Sequence, residues 1–147
     1  FVTCWGWGYQ GRFGDDANNN AAVLAPQRID VGSVATLRLN YASGIVATED
    51  GSVFYWPEAS TYYSHEMVEV SGRAVEVASG GTHNNFHWCA RMANATIECW
   101  GYNGYGQRGY DSTDKKGDSA GEMAALGTVD LGTGRTAVAI GGASRRE

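Results

Sequence analysis

Apolar and polar residues alternate with a period of two along short stretches of this chain, and the stretches recur. Leu37 and Leu39, Val75 and Val77, and Val138 and Ile140 are each two positions apart, which puts each pair on one face of an extended strand. Ahead of each pair stands a segment reading apolar, acid, apolar, small: Ile29-Asp30-Val31-Gly32, Val68-Glu69-Val70-Ser71 and Val129-Asp130-Leu131-Gly132. A third pattern is a hairpin over Val46 to Phe54 with Asp50-Gly51 at the bend, the strongest short-range turn signal. Cys89 to Cys99 fits the same frame, with Asn94-Ala95 at the bend. The longest helical stretch the pattern allows is Gly121 to Leu126, barely more than one turn. The predicted architecture is all-β.

The hairpins lead into a loop motif, plain in Cys4-Trp5-Gly6-Trp7-Gly8-Tyr9-Gln10-Gly11-Arg12-Phe13-Gly14 and in Cys99-Trp100-Gly101-Tyr102-Asn103-Gly104-Tyr105-Gly106-Gln107-Arg108-Gly109. A worn copy is Tyr55-Trp56-Pro57. The tryptophans are 51 and 44 positions apart (56−5 and 100−56). Several short strands in a repeat of about 40 to 50 residues read as propeller blades or a β-solenoid. The units are repeat one at 4–54, repeat two at 55–98 and repeat three, incomplete, at 99–147.

The order of these motifs resembles the repeat of the regulator of chromosome condensation family. Residues 99 to 109 follow that family's motif almost throughout, departing at Arg108, where the family has Leu. Gly127 to Ile140 is similar to secreted members. The middle repeat has lost most of its Trp-Gly loop to Pro57-Glu58-Ala59-Ser60-Thr61-Tyr62-Tyr63. The resemblance implies β-propeller blades of short antiparallel strands, about three of a propeller that has about seven as a rule. Three repeats leave faces uncovered, so the chain is expected to be a segment of a longer one or to be completed by a partner. Phe1 to Gly14 and Ala137 to Glu147 begin or end within a repeat, and an interface with a protein partner or with further blades is expected there.

Composition removes several function classes. The net charge is −5, with 11 cationic residues scattered along 147, so nothing clusters to track phosphates and nucleic acid is not an expected partner. No run of about 18 apolar residues encodes a membrane-spanning helix. The glycines at 101, 104, 106 and 109 do not precede a helix start, so they do not form a nucleotide fingerprint.

The three cysteines carry more information. Cys89 and Cys99 are equidistant from Asn94 (89+99 is twice 94), so a bend at residues 93 to 95 sets them opposite each other, near disulfide distance. The corresponding pair in the middle repeat, Ile45 and Tyr55, is apolar at both positions, as joint loss of a bonded pair predicts. The alternative is two buried free thiols. Cys4 corresponds to Cys99, and its mate is expected ten positions earlier, before Phe1; a bond to another chain or a free thiol are the alternatives. Asn94-Ala95-Thr96 is an acceptor sequon for N-glycosylation at the same bend. Disulfide and sequon together predict an oxidising, extracellular or cell-surface setting.

Catalytic and metal chemistry find little to build on. His65, His83 and His87 make no Ser-His-Asp order. The resemblance implies that His87 packs within a blade, and a Cys89 in a disulfide has no thiolate for zinc. The carboxylates of Asp111 to Glu122 read as a solvated insertion, with calcium binding as the alternative, since Lys115 and Lys116 oppose a cation. No catalytic residue, metal or cofactor is predicted.

Trp5, Trp56 and Trp100 recur with the repeat and are expected between blades. Trp7, Tyr62 and Tyr63 do not recur and are the interaction candidates, for protein or glycan. The expected function is a non-enzymatic extracellular or cell-surface interaction and assembly module. The family resemblance also implies two alternatives: a guanine nucleotide exchange factor-like regulator, or a secreted propeller-type enzyme inhibitor.

Overall fold

The computed structural model describes residues 1–7, 22–40, 43–56, 66–68, 70–81, 85–117 and 122–143; residues 4–7, 22–27, 56 and 66–67 are described as backbone only. Nine strands are present among them: β1 (Val2–Trp7), β2 (Ala22–Ile29), β3 (Val34–Leu39), β4 (Gly44–Thr48), β5 (Val53–Trp56), β6 (Glu66–Val68), β7 (Ala74–Gly80), β8 (His87–Met92) and β9 (Ile97–Gly101). They form three antiparallel sheets in the orders β1-β2, β3-β4-β5-β6 and β7-β8-β9. No helix occurs among the described residues, and none is long and apolar enough to cross a membrane.

Each tight turn sets the register of its hairpin. At the first, Gly51 N–H donates to Thr48 O (2.9 Å) and Thr48 N–H to Ser52 O (2.9 Å). At the second, Ala95 N–H donates to Met92 O (2.9 Å) and Met92 N–H to Thr96 O (2.9 Å). The bonds are equivalent, and so are the pairs they impose: Ile45 faces Tyr55, and Cys89 faces Cys99. The backbone is left-handed at both bends, with φ +95° at Gly51 and +65° at Ala95.

The core lies between the sheets. β4 is buried along its whole length because both of its faces are covered. Ile45 and Ala47 point one way, into a cluster with Val53, Val77, Trp88, Ala90, Met92 and Trp100. Val46 points the other way, toward Val2, Ile29 and Val31. The period of two in the sequence therefore supplies two cores from one strand. At about 1.5–3 kcal/mol for each fully buried large apolar side chain, this burial outweighs any single polar contact described below. Trp100, fully buried, belongs to the larger cluster, and the Tyr55 and Trp88 rings meet at 5.0 Å between centroids.

Neighbouring sheets are also joined through their turns. Ala74 N–H donates to Gly51 O (3.1 Å), and Ala137 N–H makes the same bond to Ala95 O (2.9 Å). The loop that delivers Ala74 has three residues after Val70 (71–73), whereas five (132–136) separate Leu131 from Ala137. Residues 127–130 run beside β9, where Val129 N–H reaches Ile97 O (2.8 Å), as β6 runs beside β5.

Two of the alternating pairs differ from the simple strand expectation. Leu39 is 61% exposed at the end of β3, an outer strand of its sheet, and Val138 is 89% exposed. The segment holding Val138 and Ile140 makes isolated bonds rather than a ladder. A strand is assigned by paired neighbours, and alternation alone does not provide them.

Candidate functional site

β9 ends at Gly101, whose N–H donates to Lys116 O (2.6 Å), and residues 102 to 115 between these points form the most elaborately held loop described. Two buried polar side chains organise it. Asn103, fully buried, accepts from Arg108 N–H at Oδ1 (2.9 Å) and donates from Nδ2 to Ser112 O (2.6 Å). Arg108, also buried, donates from Nε to Cys99 O (3.0 Å) and from a terminal nitrogen to Asp114 O (2.7 Å). A buried cation usually needs a carboxylate; here backbone carbonyls and the Tyr110 ring, 4.8 Å from the guanidinium carbon, take that place. Burial pulls the guanidinium below its usual pKa, while Tyr110, Glu122 and Asp114 oppose the shift.

Tyr110 fixes the far side. Its hydroxyl accepts from Cys99 N–H (3.2 Å) and donates to Gly127 O (2.9 Å), and burial raises its pKa. Beneath the loop, Cys99 is bonded to Cys89 across the hairpin.

On this base the loop carries an exposed aromatic. Tyr105 is 80% exposed, and its ring meets that of Tyr102 edge-on at 6.1 Å. Tyr105, Gly106, Asp111, Ser112 and Thr113 line an open depression of about 540 Å³. Asp111 has φ +52° there, in a region non-glycine residues seldom occupy. The arrangement offers an aromatic face, a carboxylate and two hydroxyl-bearing residues on a fixed base. An exposed aromatic mounted on a fixed base is the kind of group that anchors contacts.

The sequence candidates fall as follows. Trp7 lies in β1 opposite Ala22, but its side chain is outside the described residues, as are Tyr62 and Tyr63 altogether. Cys4 lies in β1 opposite Gln27, with its thiol outside the described residues. Asn94 is exposed at the β8–β9 turn. His87 packs in β8 opposite Gly80, and burial holds its imidazole below the usual pKa; His65 and His83 lie outside the description. Among the described residues no three His, Cys, Asp or Glu side chains converge as a metal group. Glu122 instead accepts from Lys116 Nζ (3.2 Å) and Gly117 N–H (2.8 Å). Tyr105 was not among the sequence candidates, because exposure on a fixed base is not encoded at the residue itself. The signal was Asn103 and Arg108, which lock that loop from within.

No family model matches the chain, and no curated protein matches it by sequence. Solved structures do match. Human WBSCR16 aligns with a TM-score of 0.68 at 16% identity, over 95% of this chain and 37% of that one. Prp20p from Saccharomyces cerevisiae, described with its binding to Gsp1p and histones, aligns with a TM-score of 0.59 at 15% identity, over 77% of this chain and 32% of that one. Both belong to the regulator of chromosome condensation family. The chain has that propeller-type fold and spans about a third of each of these structures.

Proposed function

We propose that the chain is a non-enzymatic, propeller-type interaction module that meets a protein partner through the loop after β9. The observation that carries this is the exposure of Tyr105 (80%) above a base fixed by Asn103, Arg108 and Tyr110. A rigidly mounted aromatic loses little conformational freedom on binding and buries a large area, as interface anchors do. The likeness to Prp20p, which binds Gsp1p and histones, supports protein partners for this fold. A net charge of −5 favours a partner with a basic surface.

The module works in an oxidising, extracytoplasmic compartment. The Cys89–Cys99 disulfide supports this, since such bonds persist where thiols are not kept reduced. A second reading, guanine nucleotide exchange-like regulation, takes its support from the Prp20p likeness.

A photo-crosslinking residue placed at 105, and in a second variant at the exposed Leu39, tests the contact surface in the source cells. The proposal expects protein adducts at 105 and not at 39; equal capture, or none at 105, sinks it. A guanine nucleotide-binding protein loaded with fluorescent GDP tests the second reading, and accelerated release on adding the chain would replace interaction by exchange.

A further inference from the structure

We propose that Asn94 carries an N-linked glycan, which covers the turn end of the β8–β9 hairpin and leaves the loop end, with Tyr105, to the partner. This rests on the extracytoplasmic setting proposed above. Asn94-Ala95-Thr96 is an acceptor tripeptide placed at the exposed tip of a hairpin. Its side chain is already oriented: Oδ1 accepts from Thr96 N–H (3.2 Å) and from the Thr96 hydroxyl (2.8 Å). The carboxamide oxygen faces into the turn, and the amide nitrogen is the end left over.

The sibling turn shows that the fold has no use for that nitrogen. There Asp50 Oδ1 accepts from Ser52 N–H (2.9 Å) and from the Thr48 hydroxyl. The turn needs one side-chain oxygen at this position, and a carboxylate supplies it equally well. What Asn94 adds to Asp50 is an NH₂ group facing solvent. In the transfer, Nδ2 attacks the anomeric carbon of an oligosaccharide carried on a polyprenyl pyrophosphate. An N–C bond forms, the C–O bond to the pyrophosphate breaks with its electron pair leaving on the lipid pyrophosphate, and the nitrogen gives up one proton. No oxidation state changes.

The topology determines which end the glycan occupies. β8 and β9 pair from Arg91–Ile97 near the turn to His87–Gly101 at the far end, and the Tyr105 loop leaves from Gly101. At about 3.3 Å per residue, the five residues of β9 separate the two ends by roughly 16 Å. Bulk at Asn94 therefore screens one rim and leaves the other open.

The test is secretion of the chain from a eukaryotic host behind a supplied signal peptide, with intact mass read before and after peptide-N-glycosidase. The wild type is expected to carry a whole glycan at Asn94 that the enzyme removes. Asn94→Asp, which installs the sibling residue and keeps the turn, is expected to lose the glycan and keep its melting temperature. Thr96→Ser is expected to retain the glycan. Unmodified Asn94 in secreted, disulfide-bonded protein would overturn the proposal. Crosslinking at position 105 that changes severalfold on deglycosylation would overturn the sidedness. The compartment reading fails separately: reduced Cys89 in native material would retire it, whatever the host adds at Asn94.

Discussion

Arg108 shows how one side chain sets the character of a site. A cation where the resembled family has Leu is not what a buried position ordinarily holds, because charged residues are seldom buried unless paired. In the structure it is 3% exposed and donates to two carbonyls, Cys99 O and Asp114 O. Burial, and with it the rigidity under Tyr105, was not legible because it depends on Asn103 drawing residues 108 and 112 together. Hydrogen bonds from a charged donor contribute about 1.5–3 kcal/mol each. Arg108→Ala is therefore expected to destabilise the chain by about 3 kcal/mol in urea denaturation. Arg108→Leu fills the space yet removes both charged donors, and is expected to lose about 2 kcal/mol with faster proteolysis between residues 102 and 115. An Arg108→Leu variant as stable and protease-resistant as the parent would show that the loop is held by packing alone.

Hairpins were the most legible elements, since Asp50-Gly51 declares its turn and Asn94-Ala95 inherits the assignment by position. Val138 and Ile140 carry the same alternation as Val75 and Val77 but form no strand, because pairing depends on a neighbour that alternation does not encode. The two turns also differ in what they admit. A Cβ at Gly51 would stand 2.3 Å from Arg73 Cγ and 2.8 Å from Arg73 Cα, and backbone cannot yield as a side-chain tip can. Ala95 carries a methyl at the equivalent bend. Gly51→Ala is expected to cost more than about 2 kcal/mol, from left-handed strain together with the clash. Ala95→Gly is expected to stay within about 1 kcal/mol of the parent, relieved strain offsetting the extra freedom of the unfolded chain. Thermal melts of the two variants check the asymmetry, and equal shifts would refute it.

At the scale of the whole molecule, the repeats announced a stack of similar sheets, and the structure shows how the stack coheres. One apolar cluster draws on both β4–β5 and β7–β9, while a smaller one ties β4 to Val2 and Ile29. Sequence periodicity could identify strands facing two ways but not which cluster would be larger. That depends on where Trp88, Trp100 and Met92 converge. The sheets that share the larger cluster should open as one unit, because neither keeps its buried face without the other. In hydrogen exchange read by mass spectrometry, peptides covering β4 and β8 are expected to exchange slowest and together, with β1 and β2 released earlier. Exchange of β8 well before β4 would mean that the sheets are independent.

The difference between the two connections also bears on transplanting one turn into the other. With Arg73 against the bend, position 51 has no room for a Cβ, while position 95, whose carbonyl meets a connection two residues longer at 132–136, carries one. The two bends are therefore not interchangeable parts: Asn94-Ala95-Thr96 grafted in place of Asp50-Gly51-Ser52 would set the alanine methyl against Arg73.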